Sequence, residues 1–547
     1  METSRIFGVL FGIIAICSLS LVFRPNILVL SKPLCDDAFY VFAISHNLAQ
    51  GNGVTIDGAT LTNGFQPLYV FLCVPLFALA ARNQILAVRL VLAFLWLMYL
   101  GTGFLVGKIV RGFVDPSDEH GTSWVCWMAA TLYLSAAIVF LMNFCGLETG
   151  CLLFVYAACW RYYQTGLQDS HQHWIVFGSL LGLLVLARID AVFLVAIVSF
   201  SQLVLCRNSK LSERVVRFIE ISVPSFLISS PWWFYNIIVF HSLMPSSGKA
   251  EQDWGFSFVR FERMIAVLTR ELIPWAYLTE SHADWTVGVL ARSLALLLLA
   301  VTAIKFRRNL KRLLTSVTTK SERARRTLEF ACWIIGLSLI LAVWYGLSSW
   351  AIHFYTRYLM PLSLVAIFGT ASAVVFVYQR RPKLVTTISS LLVAPILAGT
   401  VILWRVNSSF VGNLMLQEQM SLVEHYVPQN EVVAAGQSGT IGYFRHNVVN
   451  LDGKVNPQAL VYQSKMWEYL PQVHATWLCD WPSYIHKYLG DHPEEHGWRF
   501  VARDGTFDLY QYQREATNAG QVATQREPSD SSGCDFSHDR YSIFFIR

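Results

Sequence analysis

Charge is scarce in this 547-residue chain: Asp, Glu, Lys and Arg make up 14% of it, against 54% hydrophobic residues and a mean hydropathy of +0.44. Soluble domains carry about 25% charged residues, so this balance excludes a soluble globular enzyme. Metal-binding cysteine patterns are missing too. Of the eleven Cys, no two form a Cys-x-x-Cys pair, and most, such as Cys73, Cys126, Cys145, Cys151 and Cys159, fall inside apolar stretches. That excludes a structural zinc site. The glycine-rich run Gly436 to Gly442 lacks the Lys of a phosphate loop and reads as a tight turn. The net charge of +6 does not imply nucleic acid, because the Lys and Arg residues gather in short loops between apolar spans.

Apolar stretches of about 20 residues, enough to cross a 30 Å hydrocarbon layer, recur from Ile6 to Trp404. The predicted fold class is therefore a polytopic α-helical membrane protein. Three loops carry the basic excess and are expected to be cytoplasmic: Arg207 to Arg217, Lys305 to Arg326 and Arg380 to Lys383. Spans are predicted from about Arg5 to Leu28 and near 85–106, 123–142, 147–162, 173–188, 190–206, 218–240, 286–304, 328–349, 358–378 and 384–404. The stretch Pro67 to Ala81 is short for a crossing and reads as an interfacial helix, which gives eleven spans. Residues 1–404 then form the transmembrane module, with large outer loops at 31–66 and 241–285. Residues 405–547 form a separate extracytoplasmic mixed α/β domain, its strands read at Val432 to Ala435, Val448 to Leu451, Phe500 to Ala502 and Leu509 to Tyr512. Helical patterns fall at Leu416 to Tyr426 and Ser483 to Leu489. Cys479 and Cys534 are candidates to pair there, and the tail from Glu515 to Ser532 has a disordered composition.

The outer loops hold the polar constellations. In Cys35-Asp36-Asp37-Ala38-Phe39-Tyr40, two adjacent carboxylates follow the first span, and neighbouring acids are costly to hold ionised together. On a helix over Asp36 to Gln50, Asp36, Tyr40, Ala43 and Asn47 share the more polar face, while Asp37 lies with Val41, Ile44 and Leu48. One Asp there could serve as a helix cap, but a helix needs only one. Asn63 lies in the turn-rich end of the same loop. Glu148 opens a span, Arg188 and Asp190 flank a tight turn, and Lys249 sits in a Pro-Ser-Ser-Gly-Lys run suited to an anion. His353 and Arg357 precede the span near Tyr358 at a depth suited to a lipid phosphate. Each also has a plain reading, as a dipole partner, a local ion pair, a solvated lysine or an interfacial anchor.

The run DDAFYVFAISHNLAQGNGVTIDGATLTNGFQPLY resembles the first outer loop of membrane-embedded GT-C glycosyltransferases. The resemblance is to the bacterial group that includes the mycobacterial arabinofuranosyltransferases acting on decaprenyl-phosphate sugars. Later pieces agree in order: Gly146-Leu147-Glu148-Thr149, Leu186-Ala187-Arg188-Ile189-Asp190-Ala191, and Tyr235-Asn236 through Met244-Pro245 to Lys249. The segment AGQSGTIGYFRHNVVNLDGKVN resembles one in the outer domains of the same enzymes. Two departures stand out: Ile189 replaces a usual Pro, and His241 stands where Gly is common.

The resemblance implies transfer of a sugar from a polyprenyl-phosphate donor to a hydroxyl of a glycan, lipid or protein acceptor, at the outer face of the plasma (inner) membrane. Asp36 would be the general base, Asp37 would orient it or hold a sugar hydroxyl, and the configuration at the anomeric carbon would be inverted. Tyr40, Asn63, Glu148, Arg188, Asp190, Lys249, His353 and Arg357 would bind substrate, the cations near the leaving phosphate. No metal ligands are expected. A divalent cation is compatible with the acidic pair, but no residue pattern calls for one. The outer domain is expected to guide the acceptor without supplying a catalytic group. A lipid-linked-sugar transporter or flippase and a non-catalytic glycolipid-binding protein are the alternatives, although midplane ionisable residues and similar halves, which mark transporters, are missing.

Overall fold

The computed structural model describes residues 2–31, 33–113, 123–166, 170–204, 210–275, 321–380 and 415–513, with a few single positions between 290 and 301. Among them, Gln84–Phe113, Leu211–Phe240 and Glu322–Ser348 are long and apolar enough to cross a membrane. Two bent pairs bring the number to five: Trp124–Leu134 with Ala137–Phe144 at 65°, and Ile352–Leu359 with Pro361–Val377 at 49°. Pro361 lies at the second bend, where it has no N–H to return to the preceding turn. Shorter apolar helices, Ser4–Leu19, Pro67–Ala80, His171–Ala187 and Ile189–Val204, complete a mostly helical membrane protein. The expected span 384–404 and the boundary at Trp404 lie outside the described residues, and the span 286–304 almost wholly so. The count of eleven is therefore not established by these helices.

Helix ends follow local chemistry. Ser170 and Ser321 cap the helices His171–Ala187 and Glu322–Ser348, their side chains accepting from His173 N–H and Ala324 N–H. The helix Leu211–Phe240 ends at His241 in the left-handed conformation, φ 50°. That conformation favours glycine, which accounts physically for His241 as a departure. Inside, aromatic rings key the helices together: Trp160 stacks on Phe330 with centroids 5.5 Å apart, and Tyr163 on Phe177 at 5.0 Å.

Residues 415–513 form an α/β unit on a five-stranded sheet of order β2-β1-β3-β5-β4. The strands are β1 Val432–Ala435, β2 Val448–Asn450, β3 Ala475–Asp480, β4 Trp498–Asp504 and β5 Phe507–Tyr512. The β1 strand is parallel to β2 and β3, while β5 is antiparallel to β3 and β4. Alternation sends Ala434 and Leu478 into one apolar layer and Val433, Ala435, Trp477 and Cys479 into the other. Central β3 is buried on both faces and is missing from the strands read from sequence, which rest on alternating or apolar runs. Cys479 is fully buried in that strand, and its expected partner Cys534 lies outside the described residues, as does the tail.

The expected tight turn at Gly436 to Gly442 is instead the entry to a short helix, Gly439–Phe444. This helix packs on the helix Asp36–Ala49. Tyr443 enters a ring cluster with Phe39, Phe42 and Phe77. Its hydroxyl donates to Gln84 O at 2.9 Å, and Gln84 Nε2 returns a bond to Tyr443 O at 2.6 Å. Ser246 Oγ donates to Lys454 O at 2.7 Å. The α/β unit is thus seated on the same helices and loops that carry the acidic pair.

Candidate active site

The helix Asp36–Ala49 presents its two leading carboxylates in different directions, because consecutive residues lie about 100° apart around a helix. Asp36 faces the α/β unit. One carboxylate oxygen accepts Gly439 N–H at 2.9 Å, and the other accepts Thr440 N–H at 2.7 Å and Thr440 Oγ1 at 2.8 Å. It does not cap its own helix; it caps the first turn of Gly439–Phe444, where unpaired N–H groups and the helix dipole favour an anion. Burial pushes its pKa upward, and these donors oppose the rise. The approach is close enough that a Cβ on Gly439 would lie 2.1 Å from Asp36 O.

Asp37 faces a cavity of about 350 Å³. Lys454 Nζ, from the loop after β2, lies 3.3 and 3.2 Å from its two oxygens and 3.8 Å from Asp452 Oδ2. The lysine backbone is fixed, since Lys454 N–H donates to Asp452 Oδ1 at 2.8 Å and a Cβ on Gly64 would lie 1.8 Å from Lys454 O. Burial alone would lower the Lys454 pKa, but Asp37, Asp452 and Glu251 hold it above the ordinary lysine range. Burial pushes Asp452 up to about 6, against the pull of Lys454.

The rest of the cavity has a charged end and an apolar wall. Arg188 Nη1 donates to Glu148 Oε1 at 2.8 Å and Arg188 Nη2 to Asp190 Oδ2 at 2.6 Å. Arg357 Nη2 reaches the same Glu148 oxygen at 3.1 Å. Two guanidiniums thus share one carboxylate, while Tyr345 O–H donates to Asp190 at 2.9 Å. The buried Arg357 Nε has no hydrogen-bond partner among the described residues. Glu251 accepts Tyr358 O–H at 2.8 Å, and burial pushes its pKa upward. Phe65, Phe193, Trp233, Leu243, Met244 and Trp344 supply the apolar wall.

Of the residues singled out from sequence, the cavity gathers Asp37, Tyr40, Glu148, Arg188, Asp190 and Arg357. Asp36, expected to face the acceptor, is instead committed to Gly439 and Thr440. Asn63 is buried as a pin between loops, donating to Asn236 Oδ1 at 2.8 Å and accepting Ser246 N–H at 3.0 Å. Lys249 is exposed and does not line the cavity, because the short helix Ser246–Ala250 turns Ser247 and Gly248 inward instead. His353 is exposed outside the cavity, with its ring 4.0 Å from that of Phe354. Tyr40 lines the cavity while its hydroxyl donates to Gly436 O at 2.9 Å, and so also ties the two units together. Lys454 and Glu251 are absent from the sequence reading. Lys454 brings a charged side chain of the α/β unit to the cavity.

The domain of unknown function DUF8728 matches residues 411–537. Among curated proteins no match is found. In fold the chain is similar to ArnT from Cupriavidus metallidurans bound to undecaprenyl phosphate, with TM-score 0.54, 12% identity and coverage of 95% of this chain and 99% of that one. The apo state of ArnT gives 0.52, 12% identity and coverage of 92% and 97%. The archaeal oligosaccharyltransferase AglB from Archaeoglobus fulgidus, in complex with an inhibitory peptide and a dolichol-phosphate, gives 0.48 and 12% over 94% of this chain and 75% of that one. At this identity the ArnT likeness is one of fold, and it extends over nearly the whole of both chains.

Proposed function

We propose that this protein is a polyprenyl-phosphate-dependent glycosyltransferase, moving a sugar to a hydroxyl of an envelope glycan, lipid or protein acceptor at the extracytoplasmic face. The observation that carries the reading is the meeting, in one apolar-walled cavity, of the Asp37 carboxylate with the half-buried cation Arg357. ArnT, which shares the fold, has been seen with undecaprenyl phosphate bound.

Arg357, oriented by Glu148, turns its guanidinium to the cavity and receives the donor phosphate there, and Arg188 adds positive charge beside it. The apolar wall takes the first prenyl units. Asp37 accepts the proton of the acceptor hydroxyl as its oxygen bonds to the anomeric carbon, which inverts the configuration. The anomeric carbon–oxygen bond breaks, its electron pair leaves with the lipid phosphate, and the cations offset the new charge. Asp36 fastens the α/β unit and takes no part in proton transfer. The resemblance to arabinofuranosyltransferases makes a pentose donor the first to test, with hexoses beside it.

The test is purified full-length protein in nanodiscs with a panel of polyprenyl-phosphate pentoses and hexoses, followed by mass spectrometry of released lipid phosphate and glycosylated acceptor. Release that depends on Asp37 is expected. Translocation of labelled donor across proteoliposomes without any release would sink the transferase reading in favour of a transporter.

A further inference from the structure

We infer that Lys454 is a mobile counter-ion that masks Asp37 in the empty cavity and transfers to the donor phosphate on binding. This rests on the function proposed above. Three features of the Lys454 environment carry it. First, its ammonium is shared: it lies within 3.3 Å of both Asp37 oxygens and 3.8 Å from Asp452, so Asp452 remains beside it when the contact with Asp37 is broken. Secondly, its backbone is clamped by Ser246, Asp452 and Gly64, so that only the four-carbon stem moves. Thirdly, Lys454 and Arg357 rest on the same Phe354 ring, 4.8 and 4.7 Å from its centroid. Both residues also line the one cavity, so an anion that meets the Arg357 guanidinium there arrives near Lys454 as well.

The chemistry favours the exchange. The Lys454 ammonium sits against both Asp37 oxygens, so an acceptor hydroxyl has to displace it to reach the carboxylate. A phosphate monoanion or diester competes for the same cation, and its charge grows as the anomeric bond breaks. When Lys454 moves to it, Asp37 is released to take the acceptor proton, while the departing electron pair is neutralised by the cation that had held the base. Base activation and leaving-group stabilisation are then one movement, conditional on the donor being present. In its absence a water molecule meets a masked carboxylate.

The experiment is a double-mutant cycle on binding of undecaprenyl phosphate, without sugar, to full-length protein in nanodiscs. If Asp37 and the phosphate compete for Lys454, Asp37→Asn should tighten binding about tenfold in the wild-type background and less than twofold in the Lys454→Met background. Lys454→Met alone should weaken binding at least tenfold, and Lys454→Arg should restore most of it. Where Lys454→Met does not fold, Lys454→Gln takes its place. An equal effect of Asp37→Asn in both backgrounds means general repulsion between two anions and overturns the inference while leaving the transferase reading intact. Failure of undecaprenyl phosphate to bind the wild-type protein overturns both.

Discussion

Thr440 donates its backbone N–H and its hydroxyl to one oxygen of Asp36, at 2.7 and 2.8 Å, across 404 residues of chain. The neighbouring acid of the pair, Asp37, spends its charge on the cavity instead. Adjacent residues of one type thus have separate duties, and each can be removed without the other.

Asp37→Asn should keep the melting temperature near that of the wild type and lower transfer by about 10²–10⁴-fold, the range for loss of a general base. Asp36→Ala should show the reverse emphasis. It strands three donors at the seam, each bond to a charged acceptor being worth about 1.5–3 kcal/mol, so thermal unfolding should begin earlier. Limited proteolysis should then cut between the helical part and the α/β unit. Equal melting curves for Asp36→Ala and wild type would remove Asp36 from the seam.

Gly439→Ala tests the same seam sterically. Its Cβ would fall 2.1 Å from Asp36 O, a distance no packing tolerates, whereas at Gly442 a Cβ meets Val448 Cγ1 and Cβ at 3.7 and 3.8 Å, ordinary contact distances. Transfer should fall at least tenfold in Gly439→Ala and stay within twofold of wild type in Gly442→Ala. Circular dichroism should show the sheet intact in both.

Arg357→Lys keeps the charge but loses the planar fork that bonds Glu148 and, under the proposed function, would meet a lipid phosphate. The affinity for undecaprenyl phosphate should drop about tenfold, measured by titration in nanodiscs, with the fold preserved. An unchanged affinity would move the phosphate site away from Arg357.

Asp480, buried at the end of β3, is pushed by burial up to about 7 from an ordinary 3.8, although it accepts N–H groups from Trp481, Gly436 and Gln437. Its folded form favours the proton, so the stability it contributes is full below about pH 4 and is lost as pH rises through 7. The α/β unit should therefore melt at a lower temperature at pH 8 than at pH 6, by differential scanning fluorimetry. Asp480→Asn should flatten that slope.

Much of the helical architecture is written in composition: apolar runs bounded by basic loops locate the helices Gln84–Phe113, Leu211–Phe240 and Glu322–Ser348. Helix Asp36–Ala49 is legible from its periodicity, and four strands from alternating or apolar runs. What sequence does not carry is which side of that helix another unit covers. The polar face holding Asp36 and Tyr40 looks like the side open to substrate, yet those two residues bind Gly439, Thr440 and Gly436, leaving the apolar-sided Asp37 in the cavity. Lys454 is illegible for the same reason, since 417 residues separate it from Asp37. The trace it leaves is a lone Lys between two buried positions, Leu451 and Val455, after an Asp-Gly turn.

The bond from Gly439 to Asp36 also sets an order of events in biosynthesis. At about 5–20 residues per second, the roughly 400 residues between them take on the order of 20–80 s to emerge. Throughout that interval the acids of the first loop stand without Thr440 and Lys454, in a nascent chain already threaded into lipid. A ribosome that stalls anywhere before the α/β unit releases a chain in which Asp36 and Asp37 lack their partners, so the paired arrangement forms only after Thr440 and Lys454 have emerged.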